Sequence, residues 1–301
     1  MNTQLNTLPG NQQQTVAEQI HLQGRGLHTG RHATLRILPA EVNTGIRFRR
    51  IDAKGDGTEI PAHWSRTKEL PLCTCIVSDS GVQVRTIEHL MAALYACQID
   101  NALIEIRGEE LPIFDGSSRA FVAALDAAGS VPQEATKKVI RILKPIEIRE
   151  DGRWIKIKPA DSFSIDLTIS LAKFGPFNWS GPVDPVTFKQ EITCARTFGR
   201  LHNGIIAKIA TRFWRDPVCL GANRQSALVL VGSKVLNKGG LRMPDEFIRH
   251  RVLDTVADMT LAGAHIKGKI TGYSTAHRLN HKLLRTLFSD ESAWCFDLNI
   301  S

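Results

Sequence analysis

From Glu246 to Ala262 the chain reads Glu-Phe-Ile-Arg-His-Arg-Val-Leu-Asp-Thr-Val-Ala-Asp-Met-Thr-Leu-Ala, and no other stretch limits the fold as much. Phe247, Val252, Val256, Met259 and Leu261 place apolar side chains at near-helical spacing. Pro244-Asp245 supplies a start, with Asp245 as the expected cap and Glu246 in the first turn. His250, Asp254 and Asp258 are four residues apart, so a helix projects all three from nearly the same side. One helix thus aims an imidazole and two carboxylates at one place. Either they form a solvated face or a second polar element meets them there.

A second stretch of the right kind is Arg85-Thr-Ile-Glu-His-Leu-Met-Ala-Ala-Leu94. Thr86 is the expected N-cap, and Glu88-His89 precede a run of Leu, Met and Ala that reads as a buried helix. Alone, a Glu-His dipeptide fits an ordinary buried His. With the first helix it completes a set of two imidazoles and a carboxylate: His89, His250 and Asp254. Such a set suits a zinc ion with one open position, and the same donors suit Fe2+. Glu88 stands beside it as a general base toward water. Asp258 is either a further ligand or a partner behind one.

Composition removes several function classes. The 301 residues are 43% hydrophobic and 23% charged, an ordinary globular balance that fits one large or two modest domains. No run reaches the length of a membrane span and no secretory leader stands at the N-terminus, so no stable membrane insertion and a cytoplasmic location are expected. The six Cys, with Cys73-Thr-Cys75 as the only close pair, make neither a disulfide framework nor a thiolate zinc site. That pair is a soft-metal or redox site, or simply buried strand residues. A net charge of +8 and the cluster Arg47-Phe-Arg-Arg50 suit a nucleic acid, an anionic membrane surface or a phosphorylated substrate. The basic residues are otherwise scattered and no nucleic-acid-binding signature is present, so the expected partner is a phosphorylated small molecule and not a nucleic acid.

In chain order, residues 1–19 are rich in Asn, Gln and Thr and read as a disordered tail. Short apolar runs broken by Gly, Asn and Pro follow, as in Ala33-Thr-Leu-Arg-Ile-Leu38, and predict strands with Gly26-Leu-His-Thr-Gly30 as a turn. His28 in that turn is either exposed or directed into a pocket. Ala102–Arg107 reads as a strand and Asp115–Leu125 as a capped helix, and Gly129–Thr136 reads as a linker. The second half opens on strongly alternating segments, Val139–Leu143, Ile146–Arg149, Trp154–Lys158 and Phe163–Ile169, before the Glu246 helix. The fold class expected is α+β: two similar two-layer α/β sandwich domains, 20–130 and 131–301, facing each other with the site between them. A helical insertion is expected near 201–221. Its Ile205, Ile206 and Ile209 read from spacing alone as a stripe that packs on the core.

The chain resembles the LpxC family, zinc-dependent UDP-3-O-acyl-N-acetylglucosamine deacetylases of the lipid A pathway. The resemblance runs from about Ile20 to about Leu287. It rests on Gly26-Leu-His-Thr-Gly30, Leu72-Cys-Thr-Cys75, Thr86-Ile-Glu-His-Leu90, Pro112-Ile-Phe-Asp-Gly-Ser117, Ala195-Arg-Thr-Phe-Gly199, Glu246-Phe-Ile-Arg-His250 with Asp254 and Asp258, and Ala276-His-Arg-Leu-Asn280. It implies that His89, His250 and Asp254 hold zinc and that Glu88 acts as base. It further implies that His277 stabilises an oxyanion with Asp258 orienting it, and that Thr197 adds a hydroxyl donor. His28, Phe198, Arg153 and Arg251 become substrate contacts, the two arginines serving a diphosphate. The implied partner is a nucleotide-sugar or other N-acylated small molecule carrying an acyl chain, bound by a monomer. The inserted element would line the acyl passage.

The departures from the family pattern cluster on substrate contacts. Arg251 stands in place of Lys, Ser274 where a Lys often contacts the nucleotide, Leu171 where an aromatic stacks on uracil, and Gln225-Ser226 in place of Asp-Asn. Two other readings follow: an LpxC-like paralogue that deacylates a different N-acyl substrate, and a non-catalytic protein that keeps zinc for structure. A structural site needs neither Glu88 nor His277, which counts against the second.

Overall fold

The computed structural model describes residues 11–55 and 57–297. The chain is mixed α/β with several sheets, two of them large. It begins with β1 (Gln12–Val16), β2 (Ile20–Arg25), β3 (His32–Pro39), β4 (Ile46–Arg50) and β5 (Glu59–Pro61). A three-stranded antiparallel sheet follows, formed by β6 (Thr67–Leu70), β7 (Cys73–Val77) and β8 (Gln83–Arg85), and then α1 (Glu88–Ala96), β9 (Ala102–Arg107) and α2 (Arg119–Ala128). The large sheet has the order β2-β3-β9-β4-β5, and its one parallel pair is β4 with β9. Alternation decides its faces: Ala33, Leu35 and Ile37 of β3 are buried, while the exposed Arg36 between them pairs with Glu105.

The second half repeats this topology. After β10 (Ser130–Thr136) and β11 (Val139–Ile142) come β12 (Ile146–Glu150), β13 (Arg153–Lys158), β14 (Ser164–Leu171) and β15 (Gly175–Pro182). A short turn, α3 (Pro185–Thr187), leads through a π-helical segment to β16 (Phe198–Arg200), α4 (Leu201–Thr211), β17 (Leu228–Val231) and β18 (Lys234–Val235). The chain closes with α5 (Glu246–Thr260), β19 (His265–Lys267), β20 (Lys269–Tyr273), α6 (His277–Phe288) and β21 (Trp294–Phe296). The second large sheet has the order β12-β13-β20-β14-β15, again with its last strand inserted between the second and third and again with one parallel pair, β14 with β20. The buried helices α1 and α5 pack against each other, α1 also against α2 and α5 also against α6.

Three sequence expectations are corrected. The tail expected over 1–19 is a strand from Gln12: β1 pairs antiparallel with β10, the segment expected to be a linker. The boundary expected at 130 therefore falls inside a strand. Glutamines rather than apolar residues carry this ribbon, which is why composition misleads. Gln13 donates through Nε2 to Asn43 Oδ1 and the Thr136 carbonyl, and its Oε1 accepts from Asn101 Nδ2. Residues 1–10 lie outside the described part. The helix expected near 201–221 is confined to Leu201–Thr211, and its Ile stripe is not packed on the core: Ile206 is 62% and Ile209 73% exposed.

The caps also differ from expectation. Thr86 does not cap α1. It adopts positive φ, and its hydroxyl donates to Glu110 Oε1 at 3.0 Å. Asp245 precedes α5 without capping it, because its carboxylate accepts from Arg249 Nε at 2.7 Å. All six Cys are free, and Cys73 and Cys75 are buried on β7. Burial pushes both thiols up, Cys75 to about 12, so neither offers a thiolate.

Candidate functional site

The α1 and α5 helices bring their polar residues to one end of a cleft of about 800 Å³. His250, Asp254 and Asp258 project from one side of α5, and Glu88 and His89 open the first turn of α1. All five are buried. The His89 and His250 rings stand 5.4 Å apart between centroids, and His250 Nε2 lies 3.4 Å from Asp254 Oδ1. His250 is oriented by its Nδ1, 3.1 Å from the Ala195 carbonyl. That carbonyl belongs to a loop clamped by buried Glu246, which accepts from Arg196 Nε at 2.7 Å and from the Arg242 amide at 2.7 Å. The same clamp sets Thr197 and Phe198 on the cleft wall.

The third contributor is α6. His277 is its first residue, at the helix N-terminus. Its Nδ1 lies 2.8 Å from Asp258 Oδ2, and its Nε2 lies 4.0 Å from both Glu88 Oε1 and Asp254 Oδ1. Asp258 is fully buried and also accepts from Thr74 Oγ1 at 2.5 Å and Asn280 Nδ2 at 2.8 Å, with His281 Nε2 at 3.3 Å. Thr74 secures Glu88 as well, its amide donating to Glu88 Oε2 at 3.0 Å.

Each charge state has an identifiable cause. Burial pulls His89 down to about 3, with His250 adding to the effect, and burial also lowers His250. Both imidazoles are therefore neutral, the form that binds metals. Burial alone would raise Asp254, but the positive charges of His277 and Arg251 outweigh it and keep the carboxylate ionised. Burial likewise opposes a charged His277, yet Asp258 and Asp254 overcome it and lift the group to about 10. Glu88 is pushed up to about 8 by burial, which His277 opposes and Asp254 reinforces.

Among the described residues, no three His, Cys, Asp or Glu side chains are already gathered into a metal-holding group. The donor chemistry nevertheless fits a divalent ion. Two neutral imidazoles face a carboxylate, and buried His89 Nδ1 has no hydrogen-bond partner. A divalent cation would also offset the like-charge burden of Glu88 and Asp254.

The remaining expected contacts lie along the cleft. His28 is fully buried rather than exposed, and its Nδ1 accepts from the Cys219 amide at 3.3 Å. Its buried Nε2 has no partner. Arg251 Nη1 donates to Asp254 Oδ2 at 3.0 Å, and its guanidinium lies 5.3 Å from the centroid of the Phe198 ring. Arg153, Leu171, Ser274 and the inner side of α4, with Leu201, Gly204, Ile205 and Lys208, also line the cleft. Asp258 is the one expected site residue that does not reach the cleft surface, standing behind His277.

Sequence reasoning missed Thr74, Asn280, His281 and Glu110. Asn280 and His281 had a visible signal, at i+3 and i+4 from His277 on one helix face. Glu110 had none. It is buried in a loop and accepts from the His28 amide, the Thr29 amide and the Thr29 hydroxyl, each at 2.7 Å, besides the Thr86 hydroxyl.

A cleft floored by a buried acid, two neutral imidazoles, an ionised carboxylate and a nearby imidazolium defines a hydrolytic enzyme. Residues 13–289 match the family described as UDP-3-O-acyl N-acetylglycosamine deacetylase, LpxC. The chain belongs to that family. Relatives named UDP-3-O-acyl-N-acetylglucosamine deacetylase include one from Neisseria meningitidis serogroup C, 42% identical over 94% of this chain and 92% of its own length. Another from Neisseria gonorrhoeae is 41% identical with the same coverage, and one from Brucella melitensis is 38% identical over 94% of this chain and 97% of its own.

Proposed function

We propose that the protein hydrolyses the N-acetyl amide of a UDP-3-O-acyl-N-acetylglucosamine in lipid A biosynthesis, with zinc held by His89, His250 and Asp254. The observation that carries this reading is the position of His277 Nε2, 4.0 Å from Glu88 Oε1 and 4.0 Å from Asp254 Oδ1. A carboxyl group that holds its proton in the metal-free site and would ionise once a divalent cation offsets its charge, and a proton-bearing imidazole, flank one point beside the ligand set, as amide hydrolysis requires. When bound, zinc supplies Lewis acidity to the amide carbonyl and to the attacking water.

Glu88 takes the water's proton and returns it to the leaving amine. Thr74 holds its Oε2, leaving Oε1 toward the cleft. His277, kept protonated by Asp258, donates from Nε2 to the oxyanion, and Thr197 on the cleft wall adds its hydroxyl. His28 lines the pocket, with its Nδ1 occupied as an acceptor and the proton therefore on Nε2. Arg153 and Arg251 serve the diphosphate, Phe198 holds Arg251 by ring contact, and the inner side of α4 lines the acyl passage.

The two matching sheets are read as two α/β sandwich domains meeting at the α1–α5 contact, joined by the β1–β10 ribbon. The catalytic set comes from one chain, so a monomer suffices for the chemistry. A cytoplasmic location accompanies the reading, and among the described residues no helix is long and apolar enough to cross a membrane.

The test is acetate release by the zinc-loaded protein from UDP-3-O-(hydroxyacyl)-N-acetylglucosamine, with Glu88→Ala as control. Turnover lost in the variant supports the reading. Absence of turnover with zinc still bound would overturn it and favour a different N-acyl substrate, a reading to which Leu171 and Ser274 in the cleft lend weight. Replacing zinc by Fe2+ in the same assay identifies the more active metal.

A further inference from the structure

The outer side of α4 is not used by the proposed chemistry. Of the fourteen exposed large hydrophobic residues among the described ones, six lie between Leu201 and Trp214. This is a patch, not scattered surface apolarity. Ile206, Ile209 and Phe213 follow at i, i+3 and i+7, and Phe213 is 90% and Trp214 63% exposed. Leu201 and Ile205 continue the patch into the cleft, whose lining also includes the exposed Leu72.

The same segment carries one sign of charge. From Thr197 to Arg215 there is no Asp or Glu, while Arg200, Lys208, Arg212 and Arg215 are basic. Lys208 and Arg200 are spent on backbone carbonyls, Lys208 on Ala222 and Arg200 on Ala172 and Gly232. Arg212 and Arg215 stay exposed beside the aromatic pair, Arg212 lying 5.6 Å from the centroid of the Phe213 ring. The body of the protein holds the helix in place from its other side: the Thr211 hydroxyl donates to the Ala207 carbonyl at 2.7 Å and accepts from the Val218 amide at 2.8 Å.

We propose that the α4 outer face and the turn through Arg215 form a docking surface for an anionic lipid bilayer. Ile206, Ile209, Phe213 and Trp214 enter the boundary between headgroups and acyl chains, and Arg212 and Arg215 pair with lipid phosphates. Exposed aliphatic, aromatic and arginine side chains with no acidic residue among them match an interfacial helix. An acidic protein partner would account for the arginines but not for four large apolar side chains at the same level. Docking through this face would bring α4, whose inner side lines the cleft, to the bilayer, the source of any acyl-bearing ligand. The proposal adds to the deacetylase reading and does not depend on it, because its readout is vesicle binding.

The test is co-sedimentation of the full-length protein with phosphatidylethanolamine–phosphatidylglycerol vesicles and with phosphatidylcholine vesicles. Binding to the first that weakens with salt, and little binding to the second, is expected. A variant combining Ile209→Ser, Phe213→Ser and Trp214→Ser, with its circular dichroism unchanged, should lose at least about tenfold in partitioning, and Arg212→Glu with Arg215→Glu a similar factor. Trp214 emission should shift to the blue on binding, and Trp214→Phe should keep binding but lose the shift. Failure of the parent protein to bind, or equal binding by the serine variant, overturns the proposal. So does a dimer in sedimentation equilibrium that the serine variant abolishes, since the face would then belong to a second copy.

Discussion

His277 Nδ1 stands 2.8 Å from Asp258 Oδ2, and this bond decides the charge at the floor of the cleft. An imidazolium at the first residue of α6 is opposed by the helix dipole and by burial. Asp258 outweighs both. Its own ionisation, which burial opposes, is secured by His277 and His281, and it stays far below the ordinary carboxylate range. Each member of the pair keeps the other charged.

Asp258→Asn removes the chief cause that raises His277. The kcat for acetate release should fall by roughly 10²–10³-fold with a smaller change in KM, the size of losing one oxyanion donor. The alkaline limb of the pH–rate profile should move toward lower pH, because the imidazolium then gives up its proton earlier. An unmoved alkaline limb would show that Asp258 acts only in packing.

Glu88 makes the stability of the metal-free protein dependent on pH. Its folded value of about 8 lies above that of an unfolded carboxyl, so the folded state binds more protons between the two values. The cost is absent below about pH 4, grows as pH rises and is complete above about pH 8. Thermal melting after chelation should show Glu88→Gln gaining stability over the parent protein at pH 8 to 9 but not at pH 4. Equal differences at both pH values would refute a buried, proton-holding Glu88.

Zinc should raise the melting temperature of the chelated protein in a concentration-dependent way, since a ligand that binds only the folded state stabilises it by mass action. His89→Ala and Asp254→Ala should each abolish most of this shift and reduce bound zinc measured by atomic absorption. Cys73→Ala should leave both unchanged, because its thiol stays protonated in the core.

Glu110 ties the turn that carries His28 to Thr86, just ahead of Glu88. Gln in its place keeps one acceptor oxygen for four donors, so Glu110→Gln should cost about 3 kcal/mol by denaturant unfolding. Activity should fall as well, while Arg36→Ala, on the exposed side of β3, should cost under about 1 kcal/mol. The turn is closed on its other side by Gly221, where a Cβ would lie 2.1 Å from the Gly26 carbonyl oxygen, so Gly221→Ala should also loosen His28.

Much of the site was legible in the sequence because it is carried on helices. A regular helix converts spacing into direction, so spacing alone sets His250, Asp254 and Asp258 on one face and Glu88-His89 at a helix start. Alternation likewise exposed the strands of both large sheets, since one buried face requires it.

Long-range contacts decided the rest. Whether Gln13 was tail or strand depended on Asn43, Asn101 and Thr136, all distant in sequence. Whether Thr86 capped a helix depended on Glu110, and whether His28 was exposed depended on the loop from Cys219 to Gly221 packing over it. The α4 isoleucines had a helical spacing that sequence could read, but the side they faced was set by Thr211 and Lys208 anchoring the opposite one. Sequence determines directions along an element, because backbone geometry is local. Partners across elements, and with them burial and charge state, exist only once the chain has closed on itself.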